Sequence, residues 1–463
     1  MSERSAARAV VLAAGRGTRM RSRLAKVWHP VGGLPLVEHA LRTCEAATAG
    51  RPIVVVAALD ETAHASLGPR ADLVLQENLN GTGGALAAAR SQLAGEREVL
   101  VLPADMPLLR PTTLQALLDA LAASGAGAAV LTTTRADARG YGRIVRNAEG
   151  QLSQVVEDAD APWDGTPAEV NLGVYAFSLP GLWQALAGLN SENAQGELYL
   201  SWVPQAAPGG AVTVPVADPD EAIQVNDRVQ LAEAERALQQ RTLRRLMLAG
   251  VTISDPYSTW IDCDVEVGAD TVIWPGTVIR GRSRIGSECL VGPFAELDDV
   301  ETGSGCRIGR SHLSGCKLAD GVDVGPFNRV RPQSEMGPNS HLGTFTEVVR
   351  SRIGEGSQIP HLSYVGDAEI GRDVNYGAGS ITANWDGLAK HRTQIADRAR
   401  LGSGTILVAP VAVGEGAYTG AGSVITGDVP AGSLALSRVR QRNVIGWVAR
   451  RRGKRSDQAE GPG

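Results

Sequence analysis

The chain of 463 residues carries a net charge of −5, with 43% hydrophobic, 21% charged and only 4% aromatic residues. This composition supplies two or three domains with ample apolar material and excludes wholesale disorder. The acidic balance and the scarcity of aromatics argue against a nucleic-acid partner, whose binding surface would be basic or rich in stacking side chains.

Five cysteines, Cys44, Cys263, Cys289, Cys306 and Cys316, form no C-x-x-C pair. They read as reduced thiols of a cytoplasmic protein, not as a disulfide frame or a zinc site. The N-terminal stretch lacks the apolar run of a signal peptide, and no uninterrupted apolar stretch is long enough to span a bilayer, so no membrane insertion is expected.

Residues 1–226 alternate strand and helix patterns. Ala9–Ala14, Ile53–Val56 and Val99–Leu102 are continuous apolar runs, suited to strands buried on both faces of a parallel sheet. Helical stretches over Leu36–Ala49 and Gly84–Ala94 lie between them, which predicts an α/β domain. Asn226-Asp227 can cap a connecting helix over 227–250, with Leu231, Ala234, Leu238, Leu243, Leu246 and Met247 on one stripe and Gly250 as its stop.

From Val251 the pattern changes. Glycine, at 55 residues, is well above the average of roughly 7%, and here it follows aliphatic residues: Val267-Gly268, Ile285-Gly286, Val291-Gly292, Met336-Gly337, Leu342-Gly343, Ile370-Gly371 and others. Several intervals are multiples of six, and the rest slip by one or two, as short insertions would cause. A hexapeptide period marks a parallel β-helix, here over 251–437, in which three short faces make one triangular coil. A glycine-rich β-sandwich is the alternative, and so many sixfold intervals speak against it. The tail, 438–463, holds eight Arg/Lys between Arg438 and Arg455 and no acid in that span. It suits phosphate binding, or beyond residue 450 a merely solvated basic end.

Leu12-Ala13-Ala14-Gly15-Arg16-Gly17-Thr18-Arg19-Met20 follows the first strand, and Lys26 comes soon after. A glycine-rich turn at that place exposes backbone N–H groups to an anion, and the three cations add charge. The run resembles the signature of sugar-nucleotide pyrophosphorylases, with Ala25 where a proline usually precedes the lysine. Gln76 and Gly81-Thr82-Gly83 resemble their base-recognition elements. Pro103-Ala104-Asp105 ends a buried strand, where ligands bind in such sheets. Gly140-Tyr141-Gly142-Arg143-Ile144, Glu157 and Asn171 resemble the sugar-binding elements, and Asn226 resembles the partner of Asp105 in holding magnesium.

The composite resembles the bacterial bifunctional N-acetylglucosamine-1-phosphate uridyltransferases / glucosamine-1-phosphate acetyltransferases over about residues 8–447. The resemblance implies an α/β Rossmann-like nucleotidyltransferase domain followed by a left-handed parallel β-helix of hexapeptide repeats. It implies Mg2+, with UTP and acetyl-CoA as co-substrates, and a homotrimer whose sites lie between neighbouring coils. The activity it implies acetylates glucosamine 1-phosphate and then transfers UMP to the product, giving UDP-N-acetylglucosamine for cell-wall precursors. Lys26 and Arg19 would neutralise charge in the second step.

In the same resemblance His361, within Pro360-His361-Leu362-Ser363-Tyr364-Val365-Gly366-Asp367, is the base; imidazole exchanges a proton near neutral pH. Arg331, Tyr364, Asn375 and Lys390 would hold glucosamine 1-phosphate, and Glu347 would orient the amine or His361. Ala378, Asn384, Trp385, Ser403, Ala421 and Arg438 would line the acetyl-CoA site, with Trp385 replacing a tyrosine. Val349 stands where the family has a lysine for the sugar phosphate, followed by Arg350. Either the register slips and Arg350 takes that place, or Arg331 holds the phosphate with less help; neighbours on a strand face opposite ways, which favours the second. Two rivals remain: a single-activity sugar-nucleotide pyrophosphorylase, and a catalytically silent regulatory subunit, each with a structural β-helix. The presence of Asp105, Lys26 and His361 together speaks against both.

Overall fold

The computed structural model describes residues 5–15 and 17–452; Arg16 and the last part of the basic tail, 453–463, lie outside them. The chain forms two compact units, Met1–Arg245 with Ile261–Cys263, and Leu246–Trp260 with Asp264–Gly463.

In the first unit the apolar runs become the strands β1 (Arg8–Ala13), β2 (Ile53–Val56), β3 (Asp72–Leu75) and β4 (Glu98–Pro103). Val10, Val11, Ile53–Val55 and Val99–Leu102 are sealed from solvent, as helices on both faces require. Four further strands follow: β5 (Ala128–Arg135), the hairpin pair β6 (Arg143–Arg146) and β7 (Leu152–Val156), and the long β8 (Ala168–Ser178). With β9 (Ala211–Pro215) the sheet order is β9-β5-β8-β4-β1-β2-β3. The expected parallel pairing holds for β4, β1, β2 and β3. β8 departs from it and runs antiparallel between β4 and β5, since it starts beside Arg135, where β5 ends, and turns back from there.

Helix α1 (Leu36–Ala47) packs Val37, Ala40, Leu41 and Cys44 inward. The stretch expected as one helix over Gly84–Ala94 is divided into α2 (Thr82–Ala88) and a 3-10 turn at Arg90–Leu93. Helix α3 (Arg228–Leu248) is capped by Asp227, whose Oδ1 accepts from the backbone N–H of Val229 and of Gln230 at 2.9 Å each. Up to Arg245 this helix belongs to the first unit. Its stripe buries Ala234, Ala237, Leu243 and Leu246, while Met247 is exposed.

The second unit is a left-handed parallel β-helix of three sheets, with seven, ten and nine short strands. Each sheet pairs residues one coil apart, as in Val272↔Leu290↔Arg307↔Asp323↔His341↔Gln358. The aliphatic member of each hexapeptide points inward, so Ile273, Val291, Ile308, Val324, Leu342 and Ile359 stack into a closed apolar column. Tyr376 continues it on the next coil and is fully buried. The slips in the repeat are mostly shortened coils, not insertions: Leu290↔Arg307 spans 17 residues and Arg307↔Asp323 spans 16. One true insertion occurs, and it lengthens the coil from Glu369 to Gln394 to 25 residues.

Leu342 touches the coil on either side, so its truncation leaves a void that neither neighbour can fill. Leu342→Ala should cost the β-helix about 2–5 kcal/mol, measured as a lower denaturant midpoint at unchanged slope.

Candidate functional sites

The carboxyl ends of β1 and β4 open into a cavity of about 690 Å3 in the first unit. Its wall includes Leu12, Ala14, Gly15, Lys26, Gln76, Gly81, Thr82, Pro103, Ala104, Asp105, Gly142, Glu157 and Asn171. The strand ends are locked together, the Ala104 N–H donating to Leu12 O at 3.0 Å. Gly17 has φ +59°, and a Cβ there would lie 2.5 Å from Lys26 Cβ, so the glycine lets the lysine pack across the turn.

Lys26 Nζ ion-pairs with Asp105 Oδ2 and donates to Asn226 Oδ1 at 3.2 Å. The Val225 N–H donates to Asp105 O at 2.9 Å, fixing the segment that carries Asn226. Asp105 is 9% exposed, and its other oxygen, Oδ1, is buried without a hydrogen-bond partner. A buried carboxylate with one oxygen unpartnered, sharing Lys26 with the Asn226 amide oxygen, fits a small hard cation. Magnesium is ordinarily held by one or two protein oxygens together with water and substrate phosphates. Among the described residues no cluster of three or more His, Cys, Asp or Glu side chains forms a protein-only metal cage.

At the other end of the cavity, Ser201 Oγ donates to Glu157 Oε1. Poor hydration raises the Glu157 carboxyl above its ordinary value, and the serine hydrogen bond opposes that only in part. Asn171 Nδ2 donates to Tyr175 Oη at 2.7 Å, across a register shift in β8. Gln76 Nε2 donates to Gly81 O at 3.1 Å, and Thr82 Oγ1 accepts from the Leu200 N–H at 3.1 Å.

Three expected residues stand off this wall. Ala13 is buried behind it, Arg19 is exposed on the 3-10 turn Thr18–Met20, and Asn226 reaches it through Lys26. Arg16 lies outside the described residues. The sequence reading missed Tyr175, Tyr199, Ser201 and Gln224, which also line the cavity. No motif marks them; only the fold carries them there.

The β-helix holds the second group. His361 ends the strand Gln358–His361 with its side chain exposed, and its carbonyl accepts from Ser363 Oγ at 2.7 Å and the Gly379 N–H at 3.3 Å. The Gly404 N–H donates to Ala378 O at 2.7 Å, and the Gly422 N–H to Ser403 O at 2.8 Å. His361, Ala378, Ser403 and Ala421 therefore climb one corner on successive coils. At about 4.8 Å per rung they span roughly 14 Å, and Arg438 Nη1 donates to Ala421 O at 2.8 Å at the top.

Beside them runs a column of left-handed residues. It is bulky below, at Phe294, Phe327, Phe345 and Leu362, and becomes Gly379, Gly404 and Gly422 above. Phe327 and Phe345 stack at 5.4 Å. The change from aromatic to glycine leaves the corner above His361 without side chains. A side chain at Gly404 would be strained at φ +69° and would stand on that bare corner.

On the adjoining face Arg331 Nη1 donates to Glu347 Oε1 at 3.3 Å, and Glu347 pairs in register with Tyr364. Asn375 is exposed in its own bridge between Gln358 and Arg400, on a neighbouring sheet. Asn384 is buried at the foot of an exposed loop that carries Trp385 and Lys390.

At Val349 the structure agrees with the second alternative, in which the register holds and Arg350 does not take the lysine's place. Val349 is 2% exposed, so its apolar side chain offers nothing to a phosphate. The register Glu347↔Tyr364, Val348↔Val365, Val349↔Gly366 shows no slip. Arg350 sits in a left-handed turn with its guanidinium on Asp367, not beside Arg331.

A doubly flanked α/β sheet with a cavity large enough for a nucleotide at its strand ends, followed in the chain by a hexapeptide coil with a bare glycine corner, fits a two-module transferase. Residues 9–250 match the model of the MobA-like NTP transferase domain. The chain is 45% identical over 454 residues to the bifunctional protein GlmU of Brevibacillus brevis, covering 96% of this chain and 98% of that protein. It is 46% identical over 453 residues to GlmU of Kineococcus radiotolerans, and 44% over 456 residues to GlmU of Mycobacterium bovis, each match covering 96% of this chain and 92% of the relative. The chain belongs to the family of bifunctional GlmU proteins.

The raised Glu157 carboxyl has a measurable signature. The folded chain holds that proton more tightly than the unfolded chain. Its contribution is therefore complete below the unfolded carboxylate's value, near ~4.3, and is lost as pH rises through the folded value. Glu157→Gln keeps the acceptor for Ser201 and removes the titration. Its melting temperature should fall less than that of the unmodified protein between about pH 4 and pH 7.

Proposed function

We propose that residues 1–226 transfer UMP from UTP to N-acetylglucosamine 1-phosphate, and that residues 251–437 acetylate glucosamine 1-phosphate with acetyl-CoA. The chain is thus a bifunctional enzyme of UDP-N-acetylglucosamine synthesis, serving cell-wall precursors. The observation that carries this reading is similarity to bifunctional relatives along 96% of the chain, through both sites.

In the β-helix the exposed His361 imidazole takes a proton from the substrate amine. The amine nitrogen attacks the thioester carbonyl, the tetrahedral oxyanion is stabilised by Ser403 or a backbone N–H, and coenzyme A leaves as the thiol once reprotonated. The bare glycine corner suits a pantetheine arm lying along Ala378, Ser403 and Ala421, with Asn384, Trp385 and Arg438 at its sides. Arg331, Tyr364, Asn375 and Lys390 hold the sugar phosphate, and Glu347, which accepts from Arg331, orients the amine or His361.

In the first unit the sugar phosphate oxygen attacks the α-phosphorus of UTP in line, and pyrophosphate leaves. Gln76, Gly81 and Thr82 face the base, Gly142, Glu157 and Asn171 face the sugar, and the backbone of Leu12–Gly15 faces the phosphates. Lys26 and Arg19 balance the charge that develops. Asp105 and Asn226 are the residues that would hold Mg2+, which would supply positive charge against the phosphates.

A homotrimer built through the β-helix belongs to this reading. The exposed column Phe294, Phe327, Phe345, with Arg310 over the first two rings and the last two stacked, supports it, since exposed aromatics in water favour burial against another surface. A cytoplasmic location also belongs to it; among the described residues no helix is long and apolar enough to cross a membrane.

One incubation with glucosamine 1-phosphate, acetyl-CoA, UTP and Mg2+ should yield UDP-N-acetylglucosamine. His361→Ala should stop acetyl transfer and spare uridylyl transfer, Asp105→Ala should do the reverse, and excess chelator should mimic Asp105→Ala. Equal loss of both activities in either soluble variant would contradict two separate sites.

With Val349 apolar and Arg350 engaged elsewhere, Arg331 carries more of the sugar phosphate. A charge-assisted hydrogen bond contributes about 1.5–3 kcal/mol. Arg331→Ala should therefore raise the KM for glucosamine 1-phosphate about ten- to a hundredfold, read in acetyl-transfer kinetics at saturating acetyl-CoA.

A further inference from the structure

The corner after the strand Tyr364–Gly366 is built from charged and amide groups, unlike the aromatic corner next to it. Arg350, Asp367 and Asn384 occupy it on three successive coils. Arg350 and Asp367 each make a one-residue left-handed turn, at φ +47° and +51°, and the Asp367 N–H donates to Val349 O at 3.0 Å. On the third coil the corner opens into the inserted loop 384–392.

Asp367 ties the three coils together. Its carboxylate accepts from Arg350 Nε at 2.7 Å and Nη2 at 2.8 Å, and from Asn384 Nδ2 at 2.5 Å. Asn384 in turn closes the loop, its carbonyl accepting from the His391 N–H at 2.9 Å. Within the loop Trp385 bridges to Lys390, and the Asp386 carboxylate accepts from the Leu388 and Ala389 N–H groups and contacts His391. The loop is braced internally, and its foot stands on Asp367.

We infer that Arg350 and Asp367 are positioning residues for acetyl transfer: the guanidinium fixes the carboxylate, and the carboxylate fixes Asn384 and the loop that presents Trp385 and Lys390. The inference rests on the reading of the β-helix as the acetyltransferase and gives it two residues that touch no substrate.

A bidentate arginine holds a carboxylate in one plane, so Asn384 meets an acceptor of fixed direction. Gly366 shows how closely the parts converge. A Cβ there would lie 2.6 Å from Tyr364 Oη and 2.7 Å from Asn384 Nδ2.

The test uses the full chain with Arg350→Ala, Asp367→Ala, their double variant and Arg350→Lys. Two readouts are needed: acetyl-transfer kinetics and amide hydrogen exchange across residues 384–392. Each alanine variant should raise the KM for acetyl-CoA about tenfold with a much smaller change in kcat. Exchange at the His391 amide should speed up, and uridylyl transfer should be unchanged. The double variant should be no worse than either single, because both act through one link, and Arg350→Lys should recover part of the loss.

A rise in KM for glucosamine 1-phosphate confined to Arg350→Ala would make Arg350 a phosphate ligand and overturn the inference. So would a lower melting temperature with KM and loop exchange at unmodified values. If the alanine variants fail to fold, Asp367→Asn, which keeps an acceptor for Asn384 but loses the charge, must still speed exchange at His391, or the inference is wrong. An unmodified protein without acetyl transfer would sink the acetyltransferase reading alone, and loop exchange would still decide the anchor.

Discussion

Backbone hydrogen bonding between residues one coil apart is the interaction on which the C-terminal unit depends. Each inward side chain rests on the one a coil below, so a rung has no independent core. Its stability comes from contacts that are distant in sequence and immediate in space. The same stacking makes chemistry possible with few residues. His361, Ala378, Ser403 and Ala421 are far apart in the chain, yet the ladder sets them in a row that an extended thioester can follow. Groups fixed by a stiff scaffold lose little freedom when a ligand arrives, which is where much of the advantage of a preorganised site lies.

The first unit solves a different problem. Its reactants are anions, so its centre has to hold charge of both signs out of bulk water. The pair Lys26–Asp105 sits at the ends of two buried strands, with Asn226 completing the contact. Breaking such a pair from one side leaves a charge without compensation, which costs more than the pair itself contributes. An arrangement of this kind remains in place until a substrate or cation supplies an equivalent partner. The Asp105 oxygen without a hydrogen-bond partner is the position such a partner would take.

Much of this was legible in the sequence because the physics involved is periodic or local. Aliphatic-glycine pairs report an inward residue and a tight turn, and the Leu12–Met20 run reports a strand that ends in an anion-binding turn. The slips in the repeat were visible, but their sign was not: a coil shortened to 16 residues and a coil with an insertion disturb a sixfold count in similar ways. The antiparallel β8 was hidden because an apolar strand looks the same in either direction. Contacts across coils or loops were hidden too. Ser201 meets Glu157, and Arg350 meets Asp367, through folding alone. Val349 shows the converse: the substitution was plain in the sequence, while its burial, and the separate engagement of Arg350, needed coordinates.

The 25-residue coil has a wider consequence. Glu369 and Gln394 remain in register on one sheet, and Ile381 and Ile406 on the next, although the intervening corner carries a long excursion. The tube therefore tolerates lengthening at a corner without transmitting it to the rungs. Stability and substrate choice are written into separable stretches of chain, so one can drift while the other is conserved. A corner of this kind is also a natural insertion point: a reporter peptide or a foreign binding loop grafted at a simpler corner, such as that of Asp299, would ride on the outside of an unaltered core.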